Sequence, residues 1–418
     1  MPGKGMAADF LRRRWKSLLI FLAVMGPGII TSNVDNDAGG IATYSMAGAH
    51  YGNSLLWTLL PVMLVLVLVQ EMSARMGVVT GKGLSDLIRE RFGVRITVYL
   101  LFGILLTNFG NIIAEFAGVA SSLEIFHVSK FVSVPSSAVL VWLLVVKGTY
   151  RSVEKVFLFA CLFYVTYVVS GFLAKPDWAA VGTSLVRPSL GFSPGALGMV
   201  IGLVGTTIAP WMQFYLQASI VEKNIAVRDY KHSRLDVVIG SVLVTVVAGF
   251  IVLTCAATLF KAGIRVETAA DAALALKPLA GRYCSALFAF GLLNASLFAA
   301  SILPLSTAFI ICEGMGWENG VNKRFSEAPQ FYGLYSLLVF VGAGIILLPR
   351  IPLFRVMLIS QVVNGLVLPV VLVFMLVLIN DPKLMGSYKN GKLFNAAAWA
   401  TVAVLTVLTA AYVVSFLA

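Results

Sequence analysis

Charged residues are scarce in this sequence, and the scarcity sets the class of protein. Asp, Glu, Lys and Arg make up 12% of the 418 residues, while hydrophobic residues make up 59%. Soluble domains carry about 25% charged residues, so the composition argues against a soluble enzyme or binding module. Apolar runs repeat along the whole chain, and the mean hydropathy is +0.92. These features indicate one polytopic membrane domain.

Motifs for catalysis and for structural metal binding are also missing. The four cysteines lie within or at the ends of apolar runs without CxxC spacing, which argues against a disulfide framework or a structural metal site. The three histidines lie near predicted loops and are not spaced as a metal cluster. No GxxxxGK[ST] sequence is present to bind ATP. We therefore expect neither an enzyme nor a bound cofactor.

The net charge of +12 does not indicate nucleic acid, because the basic residues fall in short loops between apolar runs. Divalent metal ions and the lipid bilayer are the partners that we expect, and no obligate protein partner is evident. Residues 1–17 are predicted to form a cytoplasmic segment, followed by a single transmembrane domain over 18–418. With this orientation the inner loops and the N-terminal segment hold 22 of the 31 Lys and Arg residues. The positive-inside rule then predicts a multi-pass protein of the cell membrane with its C-terminus outside.

Eleven apolar segments of about 20 residues are long enough to cross a bilayer as helices. We predict an all-α integral membrane protein with these eleven spans. The predicted spans are 18–47, 54–76, 96–122, 132–147, 155–174, 196–220, 235–260, 284–312, 332–349, 353–380 and 394–417.

The first and sixth spans contain unusual interruptions. The first carries Asp35 and Asn36 and is interrupted around Asp37-Ala38-Gly39-Gly40, and the sixth carries Gly205 to Pro210. A carboxylate at bilayer depth is costly and usually functional, and interrupted spans at corresponding places are typical of inverted-repeat transporters. We therefore predict a LeuT-like 5+5 inverted repeat with both spans broken. The repeats would cover about 18–174 and 196–380, with an extra helix over about 394–417.

Several motifs, in register with one another, then connect the chain to a known family. Asp37 stands eleven residues after the first Gly of Gly26-Pro27-Gly28, the spacing of a metal-binding Asp-Pro-Gly-Asn motif. Further matches are Gly48, Gly52, Leu55-Leu56-Trp57, the loop Ala74 to Lys82, Glu115, Gln361-Val362 and Leu368-Pro369. From about residue 20 to at least 370, the sequence resembles the NRAMP family of divalent-metal transporters. The resemblance implies that Asp37 is the metal-binding aspartate.

Other positions depart from the pattern of that family. Its Pro-Gly-Asn is Ala38-Gly39-Gly40 here, so a side-chain carbonyl ligand is missing. In the sixth span the thioether ligand has become Ala209 and the following histidine has become Trp211. An acidic residue of the third span has become Ile112. These departures resemble the NRAMP-related magnesium transporter branch.

The altered residues predict a site for hard, hydrated cations. A thioether helps to select transition metals, and Ala209 removes it. Magnesium keeps several waters and binds through one or two carboxylates, and the small Gly40 and Ala209 leave room for such waters. The predicted site consists of Asp37, the Thr206 carbonyl, and the polar side chains of Gln361 and Gln213. Manganese should also fit, since it accepts oxygen ligands.

Some residue roles stay open at this stage. Asp35 is either a second ligand or a residue that caps a helix or faces a vestibule. Gln361 is either a ligand or a hydrogen-bonding link to a neighbouring helix. Glu115, an acid inside the membrane, has either a structural role or a role in proton relay.

The function predicted is secondary transport of largely hydrated magnesium, and of manganese, by alternating access without proton coupling. One alternative is a proton-coupled manganese or iron importer of the NRAMP type. A second is an organic-solute symporter of the same fold, in which helix-end amides would bind a substrate carboxylate. A third is a receptor or sensor that transports nothing.

Overall fold

The computed structural model of the chain describes residues 28, 31, 34–147, 161–189, 193–321 and 323–415. Within these residues every regular element is a helix. We number the α-helices in chain order. They are α1 Ala38–Tyr51, α2 Leu59–Thr80, α3 Leu84–Glu124, α4 Lys130–Val146, α5 Val165–Leu173, α6 Trp178–Val186, α7 Pro194–Thr207, α8 Pro210–Glu222, α9 Tyr230–Cys255, α10 Ala269–Ala273, α11 Lys277–Ala280, α12 Cys284–Met315, α13 Pro329–Ile346, α14 Leu353–Ile379, α15 Pro382–Met385 and α16 Lys392–Ser415.

Each of the eleven predicted spans corresponds to a helix in the described residues. Among the residues that the structure describes, eight helical stretches are long and apolar enough to cross a membrane, and α4 is a shorter apolar helix. The helices α1 and α5 are the second parts of the first and fifth predicted spans. Much of the first part of these two spans, and the whole predicted segment 1–17, lie outside the described residues. The prediction of an all-helical membrane protein is confirmed.

One inner loop of the prediction is largely helical in the structure. The segment between the second and third spans was expected to be a loop from Arg75 to Arg95, but α2 continues to Thr80 and α3 begins at Leu84. Gly93 separates the amphipathic start of α3 from its membrane part, with φ 80° and ψ 167°. A Cβ at Gly93 would have open space, so the left-handed backbone alone favours glycine. The charged residues of this segment concealed the helix, because a hydropathy search finds only apolar runs.

The helices form two groups. In one, α3 packs along α12 and α13 and contacts α4; in the other, α9 packs against α1 and α2, and α2 packs against α8. Helix α14 contacts both α3 and α7. Between α7 and α14 the backbones touch, since a Cβ on Gly205 would lie 2.9 Å from the Gly365 Cα. Helix α14 also contacts α1, so it connects the group of α3 with the group that contains α1 and α8, the later parts of the two interrupted spans.

Candidate functional site

The first interruption lies one or two residues before the predicted one. Residues 34 and 35 are helical, Asn36 and Asp37 form a bend, and α1 begins at Ala38. The Tyr164 hydroxyl donates a 2.6 Å hydrogen bond to the Asn36 carbonyl, which holds one freed backbone group of the bend. Gly39 and Gly40 therefore do not break the helix. They lie in the first turn of α1, where other groups approach the backbone closely.

The second interruption lies where it was predicted. Helix α7 ends at Thr207 and α8 begins at Pro210, with Ile208 and Ala209 in non-helical conformations between them. The partner that a continuous helix would give the Thr206 carbonyl is residue 210, and a proline has no N–H to donate. This carbonyl therefore lacks its usual partner, as the sequence predicted.

A hydroxyl pair joins the two interruptions. The hydroxyls of Tyr44 in α1 and Thr207 in α7 lie 2.8 Å apart. Both side chains are fully buried. The two breaks therefore face one another inside the protein.

Asp37 has two neighbours that position its carboxylate. It is the N-cap of α1 and accepts a 2.6 Å hydrogen bond from the Gly40 N–H. The Glu115 carboxylate accepts a 3.3 Å bond from the Ala38 N–H, so it lies at the start of α1 next to Asp37. A helix N-terminus favours negative charge. Glu115 therefore takes part in the architecture of this site.

Oxygen atoms converge on the space beside Gly40. A Cβ placed on Gly40 would lie 2.8 Å from the Asp35 carbonyl, 3.2 Å from Thr206 Oγ1 and 3.4 Å from Asp37 Oδ1. The Thr206 hydroxyl and both Asp35 carboxylate oxygens are buried and have no hydrogen-bond partner among the described residues. A buried polar atom left without a partner costs about 1–3 kcal/mol. A cation or its waters would satisfy these oxygens.

Gln361 of α14 reaches the same place. Its side-chain amide lies directly on the Gly39 backbone, where any Cβ would overlap it. Its Oε1 accepts a 2.8 Å bond from Asn364 Nδ2, while its Nε2 has no hydrogen-bond partner in the described part of the chain. The nitrogen end of this amide therefore faces the first break.

Gln213 and Ala209 belong to the second break. One end of the Gln213 side-chain amide lies 2.7 Å from the carbonyl oxygens of both Ala209 and Pro210. We assign this end as the nitrogen, which can donate to both carbonyls and so stabilise the start of α8. The role of Gln213 as a metal ligand stays a prediction. Ala209 is 2% exposed, and its methyl group occupies the position where the resemblance implied a thioether.

Apolar contacts occupy two positions where the family resemblance implied proton-handling groups. Ile112 is fully buried, and its Cγ2 lies 2.8 Å from the point where a Cβ of Gly342 would be. Trp211 is 1% exposed and packs against Tyr215 with ring centroids 6.0 Å apart. At both positions the side chain fills space in the core.

Several polar residues at or near the site belong to no recognisable sequence motif. Tyr44 and Tyr164 hold the breaks, and Asn111 and Asn364 adjoin Gln361. Asp236 of α9 accepts a 2.7 Å bond from the Gly28 N–H, before the first break. All are polar residues within apolar runs, a signal that marks functional or helix-packing positions.

Two broken helices that meet at a buried polar site are typical of transporters with the LeuT-like inverted-repeat fold. Similarity to solved transporters agrees with this fold. Mhp1, a nucleobase-cation-symport-1 family transporter, matches with a TM-score of 0.59 and 13% identity over 94% of this chain and 91% of its own. MhsT in complex with L-phenylalanine matches with a TM-score of 0.57 and 14% identity over 93% of this chain and 97% of its own.

The chain belongs to the Nramp family, since the model described as natural resistance-associated macrophage protein-like matches residues 28–415. It is therefore a transporter and not an enzyme. The divalent metal cation transporter MntH of Ralstonia nicotianae is 31% identical over 418 residues, covering 94% of this chain and 90% of that protein. The MntH of Deinococcus radiodurans is 28% identical over 401 residues, with coverages of 93% and 88%. A structure of the Eremococcus coleocola manganese transporter has a TM-score of 0.74 at 24% identity, covering 94% of this chain and 86% of that one.

Proposed function

We propose that this protein carries divalent metal ions, magnesium and manganese, across the cell membrane by alternating access. The ion would bind between the two helix breaks and keep much of its hydration shell. Transport would not be coupled to protons. This proposal corresponds to the magnesium-transporting branch rather than to the manganese and iron importers of the family.

The observation that carries the proposal is the chemistry of the converging atoms. The groups that converge beside Gly40 are the carboxylate of Asp37, the carbonyl of Asp35 and the Thr206 hydroxyl, all oxygen donors. Ala209 stands where a sulfur ligand would lie. Oxygen donors suit magnesium and manganese, whereas a thioether favours softer metals. A site of this composition does not discriminate against magnesium.

A hydrated ion also agrees with the small residues at the breaks. Gly40 and Ala209 supply no ligating side chain, so few protein atoms can replace the waters of the ion. Magnesium dehydrates reluctantly. The Asp35 carboxylate, which is buried and has no hydrogen-bond partner among the described residues, would accept hydrogen bonds from such waters.

The proposed absence of proton coupling rests on Ile112 and Trp211. Both are packed in apolar surroundings, so neither can pass a proton onward from the site. Glu115 remains as an acid beside Asp37, but it already accepts a hydrogen bond from the Ala38 N–H. We assign it the task of holding the N-terminus of α1.

A proton-coupled manganese importer is the second candidate. The position of Glu115, an acid inside the membrane at the start of α1 beside Asp37, favours it, since such acids often relay protons, and so do the names of the MntH relatives. An organic-solute symporter is less well supported. The Ala38 and Gly40 N–H groups at the start of α1 are already bonded to Glu115 and Asp37, so they cannot bind a substrate carboxylate.

A cavity of about 590 Å³ offers an entrance from the outside. It lies between the end of α3, the start of α14 and α10, and its lining includes Ser121, Glu124, Glu267 and Phe354. Ser121 is six residues beyond Glu115 on α3, and Phe354 is seven residues before Gln361 on α14. Each interval is about two helical turns, so the cavity would lie directly outward of the site.

Ion flux into proteoliposomes tests the proposal. Purified protein is reconstituted with an internal pH dye, and uptake of magnesium, manganese and calcium is measured beside protein-free liposomes. We expect magnesium and manganese uptake without acidification of the interior. Manganese uptake without magnesium uptake, accompanied by proportional acidification, would establish the second candidate instead.

The proposed orientation, with the N-terminus in the cytoplasm, has its own test. Lys82 lies in a predicted inner loop and Lys277 in a predicted outer one, and both are exposed. A membrane-impermeant thiol reagent is added to intact cells, and the labelling of the wild type is subtracted as background. The reagent should label Lys277→Cys and leave Lys82→Cys unlabelled. Labelling of Lys82→Cys alone would show that the protein has the opposite orientation.

A further inference from the structure

Three side-chain amides form a continuous network behind the site. Asn111 of α3 and Asn364 of α14 are paired reciprocally. Asn111 Nδ2 donates to Asn364 Oδ1 at 2.9 Å, and Asn364 Nδ2 donates to Asn111 Oδ1 at 3.1 Å. Asn364 Nδ2 also donates to Gln361 Oε1 at 2.8 Å. All three residues are buried, so the network connects α3 to the first break through α14.

The network determines which end of Gln361 faces the metal site. Because Asn364 offers its nitrogen to Gln361, the oxygen of Gln361 turns toward Asn364 and its nitrogen turns toward Gly39. An amide nitrogen carries two donors and no acceptor. It therefore cannot bind a cation, and it cannot accept a hydrogen bond from the water of a hydrated one.

A second arrangement keeps every hydrogen bond of the network. If all three amides exchange their oxygen and nitrogen positions together, each of the three bonds survives with donor and acceptor reversed. Gln361 would then present its oxygen to the break, while its nitrogen would donate to Asn364. A rotation of Gln361 alone would instead place two donors against each other. The amides must therefore turn together.

We propose that Asn111 and Asn364 are positioning residues that set the polarity of Gln361. In the arrangement described above the nitrogen of Gln361 faces the break, and a bound cation would select the reversed arrangement in which the oxygen faces it. This inference rests on the proposed function, because it takes the ion of that site as its ligand. It assigns the two asparagines an effect on ion affinity, although neither touches the ion.

The first measurement compares two substitutions on the same helix. Asn364→Leu removes the partner of Gln361, whereas Asn380→Leu removes an amide at the end of α14 that bonds to the Leu376 carbonyl and to Asn395. Asn364→Leu leaves Gln361 free to turn its oxygen toward the break without the two asparagines, so we expect the apparent KM for magnesium to fall by up to about ten-fold, the value of one directed hydrogen bond, with Vmax within two-fold of the wild type. Asn380→Leu should leave KM unchanged. A purely structural role for Asn364 would lower Vmax and thermal stability without changing KM.

A second variant tests the polarity itself and covers the case in which Asn364→Leu does not fold. The carboxylate introduced by Asn364→Asp can only accept a hydrogen bond from Gln361. The nitrogen of Gln361 therefore turns toward position 364, and its oxygen turns toward the site. Its KM for magnesium should be equal to or lower than that of the wild type. A ten-fold increase in KM for Asn364→Asp would overturn the assigned polarity.

A double-mutant cycle shows whether Asn364 acts through Gln361. In a Gln361→Ala background, a further Asn364→Leu change should not alter KM. An unchanged KM for the single Asn364→Leu variant, or a full additional effect in the Gln361→Ala background, would overturn the inference. If the wild type transports manganese but not magnesium, the proposed function fails, while the same comparison with manganese still tests the network.

Discussion

At the scale of single residues, Asp37 has a structural task and a proposed functional one. Its carboxylate caps α1 through the Gly40 N–H and also lies beside the oxygens of Asp35 and Thr206. A cap contributes about 0.5–2 kcal/mol, which a membrane protein of this size can lose without unfolding. The proposed metal site, in contrast, depends on the charge of this carboxylate. Function and stability should therefore respond differently to its removal.

We expect Asp37→Ala to abolish magnesium and manganese flux while the protein still purifies as a folded species. The matched control is Asp177→Ala, because Asp177 also caps a helix, accepting from the Ala179 and Ala180 N–H groups at 3.0 and 3.2 Å. Flux into proteoliposomes and thermal unfolding are measured for both variants. Asp177→Ala should transport as the wild type does. Undiminished flux in Asp37→Ala would remove this residue from the site.

Ala209→Met should shift selectivity toward soft ions. The thioether would add a soft ligand and fill space that the waters of magnesium need. We expect cadmium and manganese to compete better against magnesium in this variant. Ala209→Leu is the control, since it fills a similar volume without sulfur and should weaken all ions alike. An unchanged ratio of magnesium to cadmium in Ala209→Met would place selectivity elsewhere, in the shape of the cavity.

Gly40 limits how far a substitution at Ala209 can shift the selectivity of the site toward soft ions. A Cβ at this position would lie 2.8 Å from the Asp35 carbonyl, so an asparagine there requires the backbone of the first break to move. The sequence suggested that Gly40 leaves open space for water. In the structure that space is small and bounded by oxygen atoms, so the waters of an ion would contact the protein directly.

At the scale of secondary-structure elements, the close approach of α7 and α14 positions the two sides of the site. Their backbones meet at Gly205 and Gly365, and a Cβ on Gly365 would lie 2.7 Å from Ile201 Cγ2 and even closer to the Ile201 carbonyl. Small residues permit this kind of helix contact in membranes. The contact brings Gln361 of α14 near the end of α7.

Gly365→Ala should therefore destabilise the protein by about 1–3 kcal/mol, the usual cost of overpacking. Gly103→Ala on α3 is the control, because a Cβ there would meet nothing within 4 Å. Replacing an unhindered helical glycine should be neutral or stabilising by about 0.5–1 kcal/mol. Thermal unfolding in detergent compares the two. Equal stability of both variants would show that α7 and α14 can move apart at Gly365 with little loss of stability.

At the scale of the whole molecule, the two groups of helices and the cavity between α3, α10 and α14 fit a transporter that alternates between two openings. A divalent ion that crosses without protons carries its full charge across the membrane. The membrane potential then supplies the driving force, about 2.3 kcal/mol per charge at 100 mV and about 4.6 kcal/mol for a divalent ion.

Magnesium uptake should therefore increase with an inside-negative potential and be insensitive to a pH gradient. A potassium gradient with valinomycin sets the potential in proteoliposomes, and a buffer jump sets the pH gradient. Liposomes that contain Asp37→Ala provide the background. Uptake that depends on the pH gradient and not on the membrane potential would support the proton-coupled importer.

The eleven spans could be predicted because the reason for them is local. A segment inside a bilayer must be apolar and must satisfy its own backbone hydrogen bonds, and both requirements are written into consecutive residues. The second break was also predictable from local sequence, because Pro210 has no N–H group that could donate a hydrogen bond to the Thr206 carbonyl. The first break was placed slightly late because Gly39 and Gly40 suggested backbone freedom. They instead permit close approach of Gln361 and of the Asp35 carbonyl.

The sequence by itself determined the membrane class, the spans, the two interrupted helices and the carboxylate between them, all through short-range composition and spacing. Only the tertiary structure decided which polar atoms meet. Asn111 and Asn364 are 253 positions apart, and Tyr44 and Thr207 are 163 apart. Hydrophobicity does not specify such pairs, because in lipid every helix face is about equally apolar and helices associate through packing and hydrogen bonds. The orientation of Gln361 at the site is thus a property of the assembled bundle.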